Sequence, residues 1–450
     1  MLYEIYGQIH KMLKTALRKN NTGGKAIYFS YVYEKKCFPI SILPTAGLMT
    51  VNDSIYTEKE IFDKSDFIFK GENAVTQGCI TQNSISEMKS QYTAKSFSEA
   101  WSRLLDFSFV ESGWKNSGYC LTGYTKEKGQ WVLSSWIWTS AAVCRCYCNL
   151  GRVERAKKIA DSFLRDQLKC GGWIVRYDFT PDTTIPMVAP NDSAYIANNA
   201  LLSFYKLTKD ERYLNGAEKC AEWIMMTACP DGLPLIGMNA NTGEWITKNN
   251  IVDIGFTAGL FANLYEVTGK VSYKEYLDKF IRIYIKLFWD KGKKAFYTSI
   301  DEKRKPMGGH FGRGQAWALE GLIPAYRVLK DEKLKNIIQC LCNYLCIHQD
   351  RNGGWAYNFS KPLMGQDCKG ISVIANSLLE WYALSGEQDC RVAAQKALGW
   401  CERHTAMKGE CIGGIFSYSV EGAVVHDLYT STAFTYASAY ALEIALKLKR

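Results

Sequence analysis

From about residue 136 onward the chain repeats one alternation. A helix-length stretch that is apolar nearly all round is followed by a short Lys-, Gly- or Asp-bearing turn, then by a more charged stretch with a single apolar stripe. Residues 192–205 show the first kind. Ala194, Ala197, Ala200 and Leu201 fall at helical spacing, and their small neighbours let helices approach closely. Lys209 and Asp210 make the turn. Tyr213, Ala217, Cys220, Ala221 and Ile224 then form an i, i+4, i+7, i+8, i+11 stripe, with Glu211, Arg212, Glu218 and Lys219 off it. The same alternation recurs in 255–265 with 273–288, in 316–326 with 334–347, and in 371–384 with 390–404. The first stretches begin near Trp136, Asp192, Asp253, Gly312, Lys369 and Thr430, at intervals of 56, 61, 59, 57 and 61 residues.

A stretch apolar on every side has to be buried, and a one-sided stretch belongs outside it. Six such pairs predict an all-α fold, an (α/α)6 barrel: a closed toroid of six hairpins. The last inner stretch, 430–447, has little chain after it, so its outer partner is expected upstream, in 97–107. Gly171-Gly172-Trp173, Gly353-Gly354-Trp355 and Gly413-Gly414-Ile415 fall between hairpins, where glycine pairs permit positive-φ turns leading into short extended segments.

Residues 1–90 stand outside the repeat. The pattern there predicts a helix over 1–18 and strands over 25–33 and 38–43, hence a small N-terminal extension of mixed character ahead of a barrel domain over 91–450. At 450 residues, 47% hydrophobic and 22% charged, the chain has globular composition and can bury a large core. No run approaches the ~18 consecutive apolar residues of a membrane span. The first residues lack the layout of a secretory signal, so a cytoplasmic location is expected and the 16 cysteines are expected to be reduced. Cys144, Cys146 and Cys148, and likewise Cys340, Cys342 and Cys346, sit in apolar helical runs without zinc-site spacing and read as core packing. The charge excess of 55 Lys+Arg over 45 Asp+Glu, +10, is without a dense basic run interleaved with aromatics, which argues against a nucleic-acid partner.

In a toroid the starts of the inner helices surround a central pit, so residues there converge although distant in sequence. Those starts carry Trp136 and Trp138, Asp192, Asp253, His310 with Arg313, Gln315 and Trp317, and Asp367. Asp192 and Asp253 lie 61 residues apart and Asp253 and Arg313 lie 60 apart, one repeat each. An Asp at a helix start is commonly an N-cap. Asp253, however, is flanked by Ile251, Val252, Ile254 and Phe256, which predicts a carboxyl raised in pKa by desolvation, as a general acid requires. Asp192, between Asn191 and Ser193, is expected to stay ionised. Two carboxyls separated in pKa suit acid–base work on a glycosidic or enol-ether bond. Arg313 offers a fork for a carboxylate, Trp317 one turn on offers a flat face to a sugar, and Gly312 and Gly314 are expected to let a ligand approach the backbone.

Arg313-Gly314-Gln315-Ala316-Trp317 resembles the RGQAW motif of unsaturated glucuronyl hydrolases and the related unsaturated rhamnogalacturonyl hydrolases, glycoside hydrolase families 88 and 105. Asp192 and Asp253 match by position the two essential Asp of those families. Trp138-Thr139-Ser140 is similar to the aromatic entry of their first inner helix, and the segment from Asp367 to Leu379 to their late D-x-SA-x-AIAA-x-x-LL stretch. The likeness covers roughly residues 130–450. It departs at Asn191, where the glucuronyl enzymes carry His; His310 is the candidate for a further substrate-binding His only by proximity. The resemblance implies a hydrolase of oligosaccharides ending in an unsaturated uronate, with no metal or other cofactor. In it Asp253 is the acid and then the base, helped by Asp192. Arg313, Trp317, Trp138, Gln315, His310 and Asp367 are the substrate-binding candidates, and the partner is an acidic oligosaccharide.

Two other classes share this barrel. A sugar 2-epimerase needs paired His at the pit, and of five His only His310 and His426 precede inner helices. A non-catalytic barrel that binds acidic glycans or a partner would keep Asp192 and Asp253 capped away from the pit.

Overall fold

Among the described residues, twelve helices alternate between an inner and an outer ring. The computed structural model describes residues 29–33, 36–40 and 93–449, the last span with interruptions at 112–116, 126–129, 132–133, 179–186, 248–249, 363–364, 410 and 418–431. The helix expected over 1–18 lies outside these residues. The two expected strands form an antiparallel hairpin, Phe29–Tyr33 with Lys36–Ile40.

The outer helix α1, Phe97–Ser108, comes first. The hairpins then follow in order: α2, Ile137–Asn149, with α3, Val153–Asp166; α4 with α5, Glu211–Thr227; α6, Phe256–Thr268, with α7, Val271–Phe288; α8, Gly312–Leu329, with α9, Glu332–Ile347; and α10, Cys368–Ser385, with α11, Gln388–Arg403. The inner helix α4 runs continuously through Pro190–Ile196, a π-helical turn Ala197–Leu202 and Ser203–Thr208. A 3-10 turn, Val252–Gly255, leads into α6. The last inner helix, α12, is Thr435–Lys449. It starts five residues later than the pattern predicted, because Thr432–Phe434 is drawn out as a strand against Gly123–Thr125.

Burial follows the pattern in the sequence. Every residue of α10 from Cys368 to Leu379 is buried, whereas α11 buries only Cys390, Ala393, Ala394, Ala397, Trp400 and Cys401. As expected, α1 closes the ring: it packs on α12, and the Trp101 indole donates to Thr405 beyond α11 at 2.9 Å.

The glycine-pair loops show what joins one hairpin to the next. Gly171, Gly353 and Gly413 have φ of +107°, +89° and +83°, and a Cβ on each would lie 2.4, 2.2 and 2.0 Å from the carbonyl oxygens of Lys219, Lys396 and Ala100 respectively. Each loop thus presses backbone against an outer helix of the adjoining hairpin, and the last contact, with Ala100 of α1, closes the circle. The neighbouring bonds repeat too. Gln167 Nε2 donates to the carbonyls of Gly171 and Gly216 at 2.7 and 2.8 Å, and Gln349 Nε2 to those of Gly353 and Ala393 at 2.9 and 2.8 Å. Trp173 and Trp355 each donate their indole N–H, at 2.7 Å, to a carbonyl ten residues upstream.

Short strand pairs stand directly before inner helices. Ser134–Trp136, Met187–Val188, Asn250–Ile251 and Thr432–Phe434 precede α2, α4, the 3-10 turn of α6, and α12. Together they form the rim of the end at which the inner helices begin.

Gly413→Ala should combine the left-handed penalty with a backbone clash and lower stability by about 2–4 kcal/mol. Gly151→Ala, at φ +70° with nothing within 4 Å of the added Cβ, should cost only about 1 kcal/mol. Denaturant midpoints of the two variants compare these effects, and equal losses would mean that the Gly413 contact does not close the ring.

Candidate active site

Asp253 lies in the tight turn Val252–Gly255, fixed from behind by Tyr284, whose hydroxyl donates to the Val252 carbonyl at 2.7 Å. The helix α8 presses on the same turn: a Cβ on Gly321 would lie 2.1 Å from the Gly255 carbonyl oxygen, and one on Gly314 2.7 Å from Val252. Gly312 likewise faces the Ala356 carbonyl at 2.6 Å. These glycines therefore admit protein backbone and side chain, not the ligand expected from the sequence. The packing leaves Asp253 9% exposed. Its Oδ2 accepts from Asn191 Nδ2 at 2.8 Å, while Oδ1 accepts no hydrogen bond among the described residues.

Neither Asp192 nor Asp253 caps a helix. The residue before α4 is Ala189, without a side-chain cap, and Asp192 sits within the first turn, half-buried. The cap expected of an Asp is made at the corresponding start of α10, where Asp367 accepts from the backbone N–H groups of Lys369 and Gly370 at 3.1 and 3.2 Å.

Both unspent carboxyls are pushed up in pKa. Burial raises Asp253 to about 6, against the opposing pull of the Asn191 hydrogen bond and the Arg313 charge. Burial first, then the charge of Asp253, raises Asp192 well above the usual carboxylate range. Asp192 reaches open space at its edge, yet the protein mass around it keeps water from solvating its charge. The expected rise of Asp253 by desolvation is what burial produces, whereas Asp192, expected to stay ionised, is also pushed toward its neutral form. Asp253 has two groups that favour its charged form, Asn191 and Arg313, whereas Asp192 has a like charge beside it.

Arg313, 1% exposed, lies with its guanidinium 4.9 Å from the centroid of the Trp317 ring, and its Nη1 is 3.9 Å from Asp367 Oδ2. Trp317 is buried against Phe256 and Phe311, and the guanidinium occupies a face of its ring. Gln315 is fully committed to backbone. Its Nε2 donates to the carbonyls of Phe296 and Phe311 at 2.8 and 3.0 Å, and its Oε1 accepts from the Phe296 N–H at 2.7 Å. His310 is held between Ser360 Oγ and Asp290 Oδ2, at 3.1 Å from each ring nitrogen, and burial lowers its pKa. Gln315 and His310 therefore brace the loops before α8, and Asp367 is a cap and counter-charge; the substrate-binding roles expected for these three are not what their bonds serve.

Two residues complete the group that the sequence reading did not select. Asn191 ties the start of α4 to Asp253. Lys369, 1% exposed in the first turn of α10, lies with Nζ 3.7 Å from the centroid of the Phe434 ring. Burial and the neighbouring Arg313 charge lower its pKa to about 7. A lysine in the first turn of an otherwise apolar inner helix, against the helix dipole, was the available signal. Trp136 and Trp138, both partly exposed, line the start of α2 6.5 Å apart, and Trp138 meets Tyr436 edge-on at 4.8 Å.

The six-hairpin toroid is a fold on which glycoside hydrolases are built. Within that class the chain belongs to glycosyl hydrolase family 88, whose family model matches residues 142–439. No curated protein matches the chain by sequence. Among solved structures, an unsaturated glucuronyl hydrolase specific for heparin superposes with a TM-score of 0.61 at 17% identity, over 79% of this chain and 95% of that one. The unsaturated glucuronyl hydrolase of Streptococcus agalactiae gives 0.59 at 14%, over 83% and 93%. A cellobiose 2-epimerase from Spirochaeta thermophila gives 0.61 at 12%, over 78% and 96%. At such identities the likeness is one of fold, shared by hydrolase and epimerase alike.

The raised pKa of Asp253 carries a stability cost with a definite sign. The folded state favours the protonated form, so stability falls as pH rises from the unfolded pKa of 3.8 through about 6. Asp253→Asn should accordingly raise stability at pH 8 by about 1–3 kcal/mol, and the gain should vanish near pH 4. Thermal unfolding at the two pH values checks this; a loss at pH 8 would mean that the carboxylate is stabilised in place.

Proposed function

We propose that this hydrolase acts on oligosaccharides whose non-reducing end is a 4,5-unsaturated uronate. The observation that carries the reading is the pairing of two desolvated carboxyls with two buried cations, Arg313 and Lys369, at the same inner-helix starts. An enol ether needs a proton donor that survives near neutral pH, and an acid near 6 is matched to that task. The cations supply the field in which a uronate carboxylate and its developing charge are accommodated.

In this mechanism Asp253 gives its proton to C4, and positive charge develops at C5 and the ring oxygen. The Asp253 carboxylate then takes a proton from a water whose oxygen bonds to C5. The resulting hemiketal opens to a ketone, and the former glycosidic carbon releases the neighbouring sugar as its alcohol. One water is consumed, and Asp253 ends protonated as it began. Asp192 hydrogen-bonds ring hydroxyls and steadies Asp253. Trp136 and Trp138 supply the stacking wall. Trp317 backs Arg313, which holds down the pKa of Asp253 and draws the substrate carboxylate. The residues serving substrate are thus Asp253, Asp192, Asn191, Arg313, Lys369, Trp136 and Trp138. No described helix is long and apolar enough to cross a membrane, and a cytoplasmic setting suits the many unpaired thiols. The epimerase reading needs a His pair. His310 is spent on Asp290 and Ser360, and His426 lies outside the described residues.

Asp253→Asn should retain the fold and slow loss of the enol-ether ultraviolet absorbance by about 10²–10⁴-fold on lyase-digested glycosaminoglycan or pectin fragments. Undiminished turnover would remove Asp253 from the mechanism. In the wild type the rate should fall as pH rises through about 6, where Asp253 loses its proton. Asp192→Asn should leave that limb where it is, since burial, Asn191 and Arg313 set the pKa of Asp253. A limb displaced downward in that variant would show that Asp192 is ionised.

A further inference from the structure

A short hydrogen-bonded bridge crosses the axis below the pit. On α8, Arg313, Trp317 and Glu320 follow one another at i, i+4 and i+7, which sets Glu320 about 10 Å deeper than Arg313 on the same face. On α4, Tyr195 lies one turn below Asn191 and three residues after Asp192. Tyr440 of α12 stands between the two helices. Its hydroxyl donates to Glu320 Oε1 and lies 2.7 Å from the Tyr195 hydroxyl. The rings widen this bridge into an aromatic layer: Tyr436 meets Tyr440 at 4.7 Å and Trp138 at 4.8 Å, and Tyr195 meets Phe256 at 4.7 Å.

Glu320 is costly to bury there. Its Oε2 has no partner among the described residues, and Arg145 Nη1 comes only to 3.7 Å of Oε1, because that guanidinium is forked onto Glu443. Burial raises the Glu320 pKa to about 7, against the Arg145 charge, the Tyr440 bond and the Lys447 charge, while Glu443 adds to the rise. An apolar side chain would fill the position without that penalty. What the carboxyl adds is a fixed distance between α8 and α4. The start of α4 needs such a hold, since the π-helical turn Ala197–Leu202 interrupts the regular ladder directly after Ile196. The seven residues Pro190–Ile196 are therefore a short segment held from the side, by Asn191 on Asp253 above and by Tyr195 on Tyr440 below.

We propose that Glu320 is a positioning residue: through Tyr440 and Tyr195 it holds the start of α4 against α8, and so keeps Asn191 and Arg313 in place around Asp253. Those two groups oppose the rise of the Asp253 carboxyl. Asp192 on α4 and Tyr284 behind the turn are the other titratable groups that face it. With the bridge cut, Asn191 and Arg313 draw away and Asp253 holds its proton to higher pH.

Tyr440→Phe removes one oxygen atom and cuts both links, Glu320→Leu cuts one, and Glu320→Gln keeps an amide oxygen to accept from Tyr440. Difference infrared spectra of each full-length protein against its Asp253→Asn counterpart follow the Asp253 carboxyl without substrate. The titration, about 6 in the wild type, should move up by about 0.5–1 pH unit in Tyr440→Phe and in Glu320→Leu. It should move no further in the double variant and stay in place in Glu320→Gln. On lyase-digested glycan fragments at pH 5, the first two variants should lose about 10–100-fold in kcat with KM within about twofold. This kinetic arm rests on the unsaturated-uronate reading and the infrared arm does not. Glu266→Gln, which opens the Arg327 fork in the last turn of α8, should alter neither. The proposal is overturned if the Asp253 titration stays put in Tyr440→Phe, or moves as far in Glu266→Gln. A shifted titration with no turnover of any unsaturated fragment would uphold the bridge and remove the substrate reading instead. Should Glu320→Leu fail to fold, Tyr440→Phe decides alone.

Discussion

Six helices confined around one narrow axis set the terms for everything else in this chain. The confinement is enforced by backbone against backbone: Gly321 of α8 meets the carbonyl of Gly255, and Gly259 of α6 faces the carbonyl of Glu320 at 3.0 Å from the position of an added Cβ. Helices this close leave little water between them, so any ionisable side chain turned toward the axis is desolvated whatever its role. Raised carboxyls at Asp192, Asp253 and Glu320, and a lowered amine at Lys369, are the common consequence. The fold thus acts as a pKa-shifting device before any residue is selected for chemistry, and the particular partners at each position decide which shifts are useful.

Those partners differ between the two ends of the axis. At the N-terminal end Arg313 lies 3.9 Å from Asp367 and stacks on Trp317. At the C-terminal end Arg145 and Glu443 form a fork with both oxygens engaged, which neutralises charge locally and spends the hydrogen-bonding capacity of both partners. Such a closed fork chiefly fixes helix against helix. The aromatic layer of Tyr195, Phe256, Tyr436 and Tyr440 keeps the two regimes apart.

Much of this was legible in the sequence because the physics was local and repeated. Period, burial class and helix order follow from the spacing of apolar residues, and the ring-closing helix α1 followed from counting pairs. The strand before α12 was missed because Thr432-Ala433-Phe434 is decided by a partner some 310 residues upstream, Gly123–Thr125. The bonding of Gln315 and His310 was not legible for a related reason. Proximity to a motif says nothing about where a side chain's hydrogen bonds go, and theirs are used up by Phe296, Phe311, Ser360 and Asp290.

The three aspartates at inner-helix starts make the point most sharply, since the repeat places them alike. Asp367 is itself extended, with φ −101° and ψ 120°, so the carboxylate folds back onto the N–H groups of Lys369 and Gly370 and is spent as a cap. At Asp253 the 3-10 turn begins one residue earlier, at Val252, which is pinned by Tyr284, so the carboxyl is already inside the turn and out of reach of that geometry. At Asp192 the helix begins two residues earlier, at Pro190, whose ring favours the first helical position and needs no donor satisfied. A shift of one or two residues in where the helix starts converts a structural acid into a free one. The two raised carboxyls lie where Pro190 and the Tyr284–Val252 bond set those starts upstream, with few partners among the described residues in a place where water cannot make up the difference.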